Sequence, residues 1–188
     1  VLLICGVLTM NRNEVWLSEL KLWSDSVLKN PNSPRVNNNL GKAYFEIGDI
    51  EAARVYLEKS VTSISSYIQE QYNIGNSKNF SGKANFAEPH YNLASVYLDL
   101  GQLHKAEAEY KKALKLKSDY YTAELGMGSV KNMKGQYDFA IKHFLNSIAL
   151  MRQATGKSDY ALARLNLGEI YGKTQRFDQA IVELSRAI

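Results

Sequence analysis

The sequence predicts an all-α protein, a solenoid of stacked helical hairpins, on three observations. First, one short pattern recurs as Asn39-Leu-Gly-Lys-Ala-Tyr44, Asn92-Leu-Ala-Ser-Val-Tyr97, Gly126-Met-Gly-Ser-Val-Lys131 and Asn166-Leu-Gly-Glu-Ile-Tyr171. Second, Ala53, Ala106, Ala140 and Ala180 each stand 13 residues beyond Leu40, Leu93, Met127 and Leu167. Third, Gly48, Gly101 and Gly135 lie between the two markers, with Gln175 in the fourth copy.

The pattern reads physically as helix–turn–helix. A small residue (Gly41, Ala94, Gly128, Gly168) lets a second helix approach the first closely. The central glycine ends the first helix, because it adopts a left-handed conformation without steric cost. The alanine on the second helix faces the close contact. Four residues further come Leu57, Tyr110, Phe144 and Leu184, and three beyond those the small residues Ser60, Ala113, Ser147 and Ala187. One hairpin cannot bury both its apolar faces, so copies must stack.

These residues resemble the tetratricopeptide repeat (TPR), a unit of 34 residues with Leu, Gly, Tyr, Ala, an aromatic and Ala at such offsets. Leu93 to Met127 spans that ideal period of 34, whereas Leu40 to Leu93 spans 53 and Met127 to Leu167 spans 40. The resemblance covers Pro34 to Ile188 and implies a right-handed α-solenoid of about four repeats after a half-repeat.

The expected organisation, in chain order, is an apolar segment at 1–13, a half-repeat at 14–33, and copies at 34–86, 87–120, 121–160 and 161–188. Val1 to Met10 is uncharged. It is shorter than the roughly 20 residues of a membrane helix, but the chain opens on Val and these residues could end a longer span. Glu14 to Pro31 reads as the second helix of a preceding copy, with Trp23 in the aromatic slot, Ser26 in the small slot and Pro31 closing it. In copy one a helix is expected from Ala52 to Gln71, followed by the Asn-, Gly- and Ser-rich insertion Asn73–Asn85. In copy three the helix from Tyr137 is expected to reach about Ala154, with Thr155 to Ser158 as the turn. Both insertions read as tolerated surface additions. Ile188 falls inside the second helix of copy four with no polar cap after it, which implies a piece of something longer.

Composition excludes several functions. Apolar residues make up 45% and charged residues 22%, the balance of a folded protein. The net charge of +4, from 23 basic and 19 acidic residues dispersed along the chain, argues against nucleic acid. A single cysteine, Cys5, permits no internal disulfide and leaves the compartment open. His90, His104 and His143 sit at unrelated repeat positions without metal-ligand spacing. Gly126 to Lys131 lacks the glycines of a phosphate loop, and no Ser/His/Asp spacing selects a triad. No catalytic residue, metal or cofactor is expected.

The resemblance points instead to a peptide groove. In the TPR family, residues two, five, six, nine and twelve of each copy line the concave face. Position six holds Asn39, Asn92, Gly126 and Asn166, which looks like the asparagine ladder of some TPR superhelices. A primary amide both donates and accepts, so it can pair with a peptide backbone of any sequence. The bland reading is that these asparagines help neighbouring helices pack. The expected peptide-binding set is Asn39, Lys42, Tyr91, Asn92, Asn166 and Glu169. The family's carboxylate clamp does not fit: copy one has Asn38 and Lys42 in swapped order, and copy three has Thr122 and Gly126 where cations belong.

A second resemblance lies at the N-terminus. Thr9-Met-Asn-Arg-Asn13, Trp16, Glu19, Leu22-Trp23, Asp25, Pro31, Arg35 and Asn39-Leu-Gly41 look like the junction in multi-spanning membrane proteins with C-terminal TPR arrays, similar to the transmembrane TPR O-mannosyltransferases. It implies that Val1–Met10 tethers the array to a membrane on the extracytoplasmic side; without it a cytoplasmic array is equally consistent. Three readings follow: a non-catalytic module binding an extended peptide or partner helix, the substrate-presenting tail of a membrane-embedded glycosyltransferase, or a scaffold that self-associates through the solenoid's exposed ends.

Overall fold

The computed structural model describes residues 19–73, 86–156 and 160–187, all in helices and the turns between them. The expectations for Val1–Met10, for residues 74–85 of the insertion and for Lys157 and Ser158 fall outside the described residues. In chain order the helices are α1 (19–29), α2 (Pro34–Glu46), α3 (Ile50–Asn73), α4 (Ala87–Asp99), α5 (Leu103–Leu116), α6 (Tyr121–Met133), α7 (Tyr137–Thr155), α8 (Ala161–Lys173) and α9 (Phe177–Ser185). They fall into two compact units, Val1–Val96 and Tyr97–Ile188, with the division inside α4.

In the first unit, α2 begins at a Ser-Pro step. Ser33 Oγ accepts from the Val36 amide and Pro34 occupies the first turn, where its missing N–H is no loss. Asn37, wholly buried, donates to the carbonyls of Pro31 and Ser33 at 2.9 and 2.8 Å and so locks the entry turn. Leu40, Ala43, Ala53 and Leu57 are buried in the α2–α3 hairpin. A Cβ added to Gly41 would stand 2.6 Å from Leu57 Cγ, which is why this position is small. Ser60 Oγ donates to the Pro34 carbonyl at 2.7 Å, tying the far end of the hairpin. Tyr44 stacks on Tyr56 with ring centres 5.4 Å apart. The extension of α3 carries Tyr67, whose ring meets Phe86 edge-on at 6.4 Å.

The second unit repeats this architecture. Gly128 faces the Phe144 ring, and a Cβ there would lie 2.5 Å from a ring carbon. Ser147 Oγ donates to the Tyr121 carbonyl at 2.6 Å, the counterpart of Ser60 on Pro34. Gly168 faces Leu184, and a Cβ added there would again stand 2.6 Å from the leucine side chain. Ala140, Ile141 and Phe144 of α7 share one apolar cluster with Leu167, Ile170 and Tyr171 of α8 and Ala180 of α9. Helix α7 runs to Thr155 and ends at Gly156 with φ 70°.

The turn inside each copy has one geometry. The amides of Asp49, Gln102, Gln136 and Arg176 donate to the carbonyls of Tyr44, Tyr97, Lys131 and Tyr171 at 2.8–3.0 Å. This closure requires a left-handed residue just before the donor, supplied by Gly48, Gly101 and Gly135 and, at φ 61°, by Gln175. The fourth copy therefore keeps the turn despite lacking the glycine.

Ion pairs add a second kind of contact between α5 and α6. Lys111, Lys134 and Lys131 lie 2.7, 2.6 and 2.9 Å from the Glu107 carboxylate. Their hydrogen bonds hold that carboxyl well below the usual carboxylate range. A depressed folded-state value means stabilisation that is fully present above the ordinary 4.5 and lost as pH falls through the lower folded value. Glu107→Gln should accordingly lower the melting temperature at about pH 7 and flatten its decline below about pH 4.5. Superimposable melting temperatures across that range would show that the pairs add no stability.

Candidate peptide-binding surface

The expected site residues sit on first helices, and the two units present them differently. In the first unit α2 and α4 bring three asparagines together. Asn92 Nδ2 donates to Asn38 Oδ1 at 2.9 Å, and Asn38 Nδ2 donates to Asn39 Oδ1 at 3.4 Å. Asn38 is buried, whereas Asn39 and Asn92 are half-buried. Asn38 therefore serves as the connector that fixes its two neighbours. This explains physically why the clamp reading fails here: the amides at the two clamp positions bond to each other rather than standing open to a carboxylate. Among the described residues, Asn39 Nδ2 and Asn92 Oδ1 make no further hydrogen bond, which leaves one donor and one acceptor side by side along the helix face.

Lys42 is exposed one turn beyond Asn38, with its ammonium 3.8 Å from Glu46. Burial pushes the Glu46 carboxyl up, opposed by Lys42. Tyr91 is half-buried next to Asn92, and its carbonyl accepts from Ser95 Oγ at 3.1 Å. Asn39, Lys42, Tyr91 and Asn92 thus occupy one neighbourhood of the first unit, as the spacing implies.

The second unit does not continue the same chemistry. At Gly126 the ring and hydroxyl of Tyr110 occupy the space where a side chain would begin, so an asparagine has no room. Asn166 is present but turns inward on its own helix, donating to the Leu162 carbonyl at 2.9 Å. Glu169 pairs with Lys173 one turn along at 2.5 Å. Two residues outside the expected set, Leu162 and Leu165, are exposed at positions two and five of copy four. The repeat offsets contain that signal, because both positions line the groove in the family. The face in copy four is therefore apolar with an acidic edge, whereas the first unit's is amide-rich.

The histidines take structural roles. His143 Nδ1 lies 2.6 Å from Glu124 Oε2, and Asn146 donates to the other Glu124 oxygen at 2.8 Å, joining α6 to α7. His104 Nδ1 lies 3.3 Å from Lys134 Nζ. Among the described residues no three His, Cys, Asp or Glu side chains are placed to share a metal ion, and no helix is long and apolar enough to cross a membrane.

Family models described as tetratricopeptide repeat match residues 34–67, 87–120 and 119–188. The chain belongs to the tetratricopeptide-repeat family. Its fold is similar to that of solved structures of MamA. One, the crystal structure of MamA, superposes with a TM-score of 0.70 at 20% identity over 95% of this chain and 90% of that one. Another, MamA from residue 41 to its end from Desulfovibrio magneticus RS-1, gives 0.71 at 14% identity over 94% and 85%. At these identities the likeness is one of fold. The TPR assignment accounts for the shared hairpin geometry: the small position, the large apolar residue facing it and the left-handed turn are the residues any TPR hairpin needs to close.

Proposed function

We propose that this TPR protein binds an extended peptide segment through the first-helix face of its first unit. The chain is a protein–protein interaction module, an α-solenoid of TPR hairpins. The observation that supports the finer reading is the Asn92–Asn38–Asn39 chain of amides. It fixes two half-buried side chains with a donor and an acceptor left for a ligand, at a spacing suited to peptide N–H and C=O groups. Lys42 and Tyr91 flank them and would select among side chains. Asn166 and Glu169, occupied within their own helix, would contribute less, beside the apolar Leu162 and Leu165. This reading is non-catalytic and needs no cofactor.

The experiment is a peptide-library pull-down with the parent chain and with Asn39→Ala/Asn92→Ala. Each hydrogen bond is worth roughly 0.5–1.5 kcal/mol, so the double variant should bind about tenfold more weakly or worse. Asn92→Ala also leaves the buried Asn38 acceptor unpaired, at a cost of about 1 kcal/mol or more in stability, so binding is compared well below both melting temperatures. Equal recovery of ligands by both proteins would move the contact surface elsewhere. The membrane-tail alternative rests on the N-terminal resemblance, which falls largely on residues 1–18, and apolar spans upstream of Val1 would support it.

A further inference from the structure

Successive junctions between hairpins are matched in chemistry at one equivalent site. On the second helices that site is Glu107 in α5, Ile141 in α7 and Ile181 in α9. Across the first junction Glu107 meets Lys131 and Lys134 of α6 at 2.9 and 2.6 Å. Across the next, Ile141 lies in an apolar cluster with Ile170 and Tyr171 of α8. Tyr171 holds the repeat position that Lys131 holds in α6. The pairing rule is thus charge to charge in one junction and apolar to apolar in the other.

Helix α9 repeats the apolar version without a cover among the described residues. Ile141 and Phe144 are 8% and 0% exposed beneath α8, whereas their counterparts Ile181 and Leu184 are 63% and 40% exposed. Phe177, one turn earlier on the same stripe, is 63% exposed. The inner side of Leu184 still packs on Gly168, so only the outward side differs.

We propose that the α9 stripe docks an amphipathic partner helix of the α8 type, one with Leu, Ile and Tyr spaced as Leu167, Ile170 and Tyr171, and that Ile181 rejects helices of the α6 type. The α7–α8 junction of this same chain is the template for the seated helix. Apolar side chains over Ile181 gain by leaving water. A lysine at the position of Lys131 would instead lose hydration over an isoleucine that offers no carboxylate.

The test uses the full chain and two end-capped, lactam-stapled helical peptides copying residues 160–174 and 120–134, titrated by fluorescence anisotropy. Stapling removes the cost of forming a short helix, which would mask the contact. The 160–174 peptide should bind at least tenfold tighter than the 120–134 peptide. Ile181→Glu, which recreates the Glu107 environment at an exposed position, should reverse that order: the first peptide weakens at least tenfold and the lysine-bearing one tightens. Circular dichroism should show the helical content of Ile181→Glu unchanged. The Asn39→Ala/Asn92→Ala protein should behave as the parent, which separates this surface from the amide face. Failure of the 160–174 peptide to bind, equal binding of both peptides, or indifference to Ile181→Glu would each overturn the proposal.

Discussion

Phe144→Ala should reduce the unfolding free energy by about 3–5 kcal/mol, the range for emptying a fully buried phenylalanine site. Phe144 is 0% exposed and lies between Gly128 of α6 and the α8 face of the same cluster. The more informative measurement adds Gly128→Ala to both backgrounds. In the parent, the new methyl would start 2.5 Å from the Phe144 ring, so overpacking of about 1–3 kcal/mol should outweigh the roughly 1 kcal/mol that alanine gains over glycine within a helix. In the Phe144→Ala protein the same methyl enters the vacated space and should stabilise. Urea denaturation of the four proteins gives the coupling directly. Additive effects would mean that the two residues do not share the contact that closes the hairpin.

Completing the asparagine ladder should harm the protein. Gly126→Asn places a Cβ, and then an amide, where the ring and hydroxyl of Tyr110 lie. Tyr110 is itself buried, 2% exposed, and has little space to retreat, so a loss of about 2–3 kcal/mol is expected. Tyr110→Leu should relieve part of that loss when combined with Gly126→Asn, while destabilising the parent on its own. Thermal melts of the two single variants and the double variant decide this. If Gly126→Asn melted with the parent, Tyr110 would not be the reason the ladder is broken.

The hairpins were legible because their determinants are local. Gly48, Gly101 and Gly135 mark the turns, and the 13-residue offset from Leu40 to Ala53 and its counterparts sets which faces meet. The extended α3 and α7 were legible for the same reason, as helical periodicity that continued past the usual end. Gln175 shows the limit of a residue-by-residue rule: the turn's hydrogen bond to Tyr171 holds it left-handed where glycine would ordinarily stand.

The candidate site was legible only in part. Position six identified Asn39 and Asn92, but Asn37, which pins the α1–α2 turn, carries no distinguishing sequence signal among three consecutive asparagines. The sequence by itself determined the repeat, its copies and the identities of the residues on each first-helix face, because a helix of fixed pitch assigns side chains to faces. Tertiary structure decided how those side chains are satisfied. Asn38 joins Asn39 to Asn92, Tyr110 fills the place at Gly126, Asn166 folds back on its own turn, and Glu107 gathers three lysines. Each outcome depends on which group of a neighbouring helix comes within a few ångströms, a quantity that hydrogen bonding and packing register and that repeat spacing does not contain.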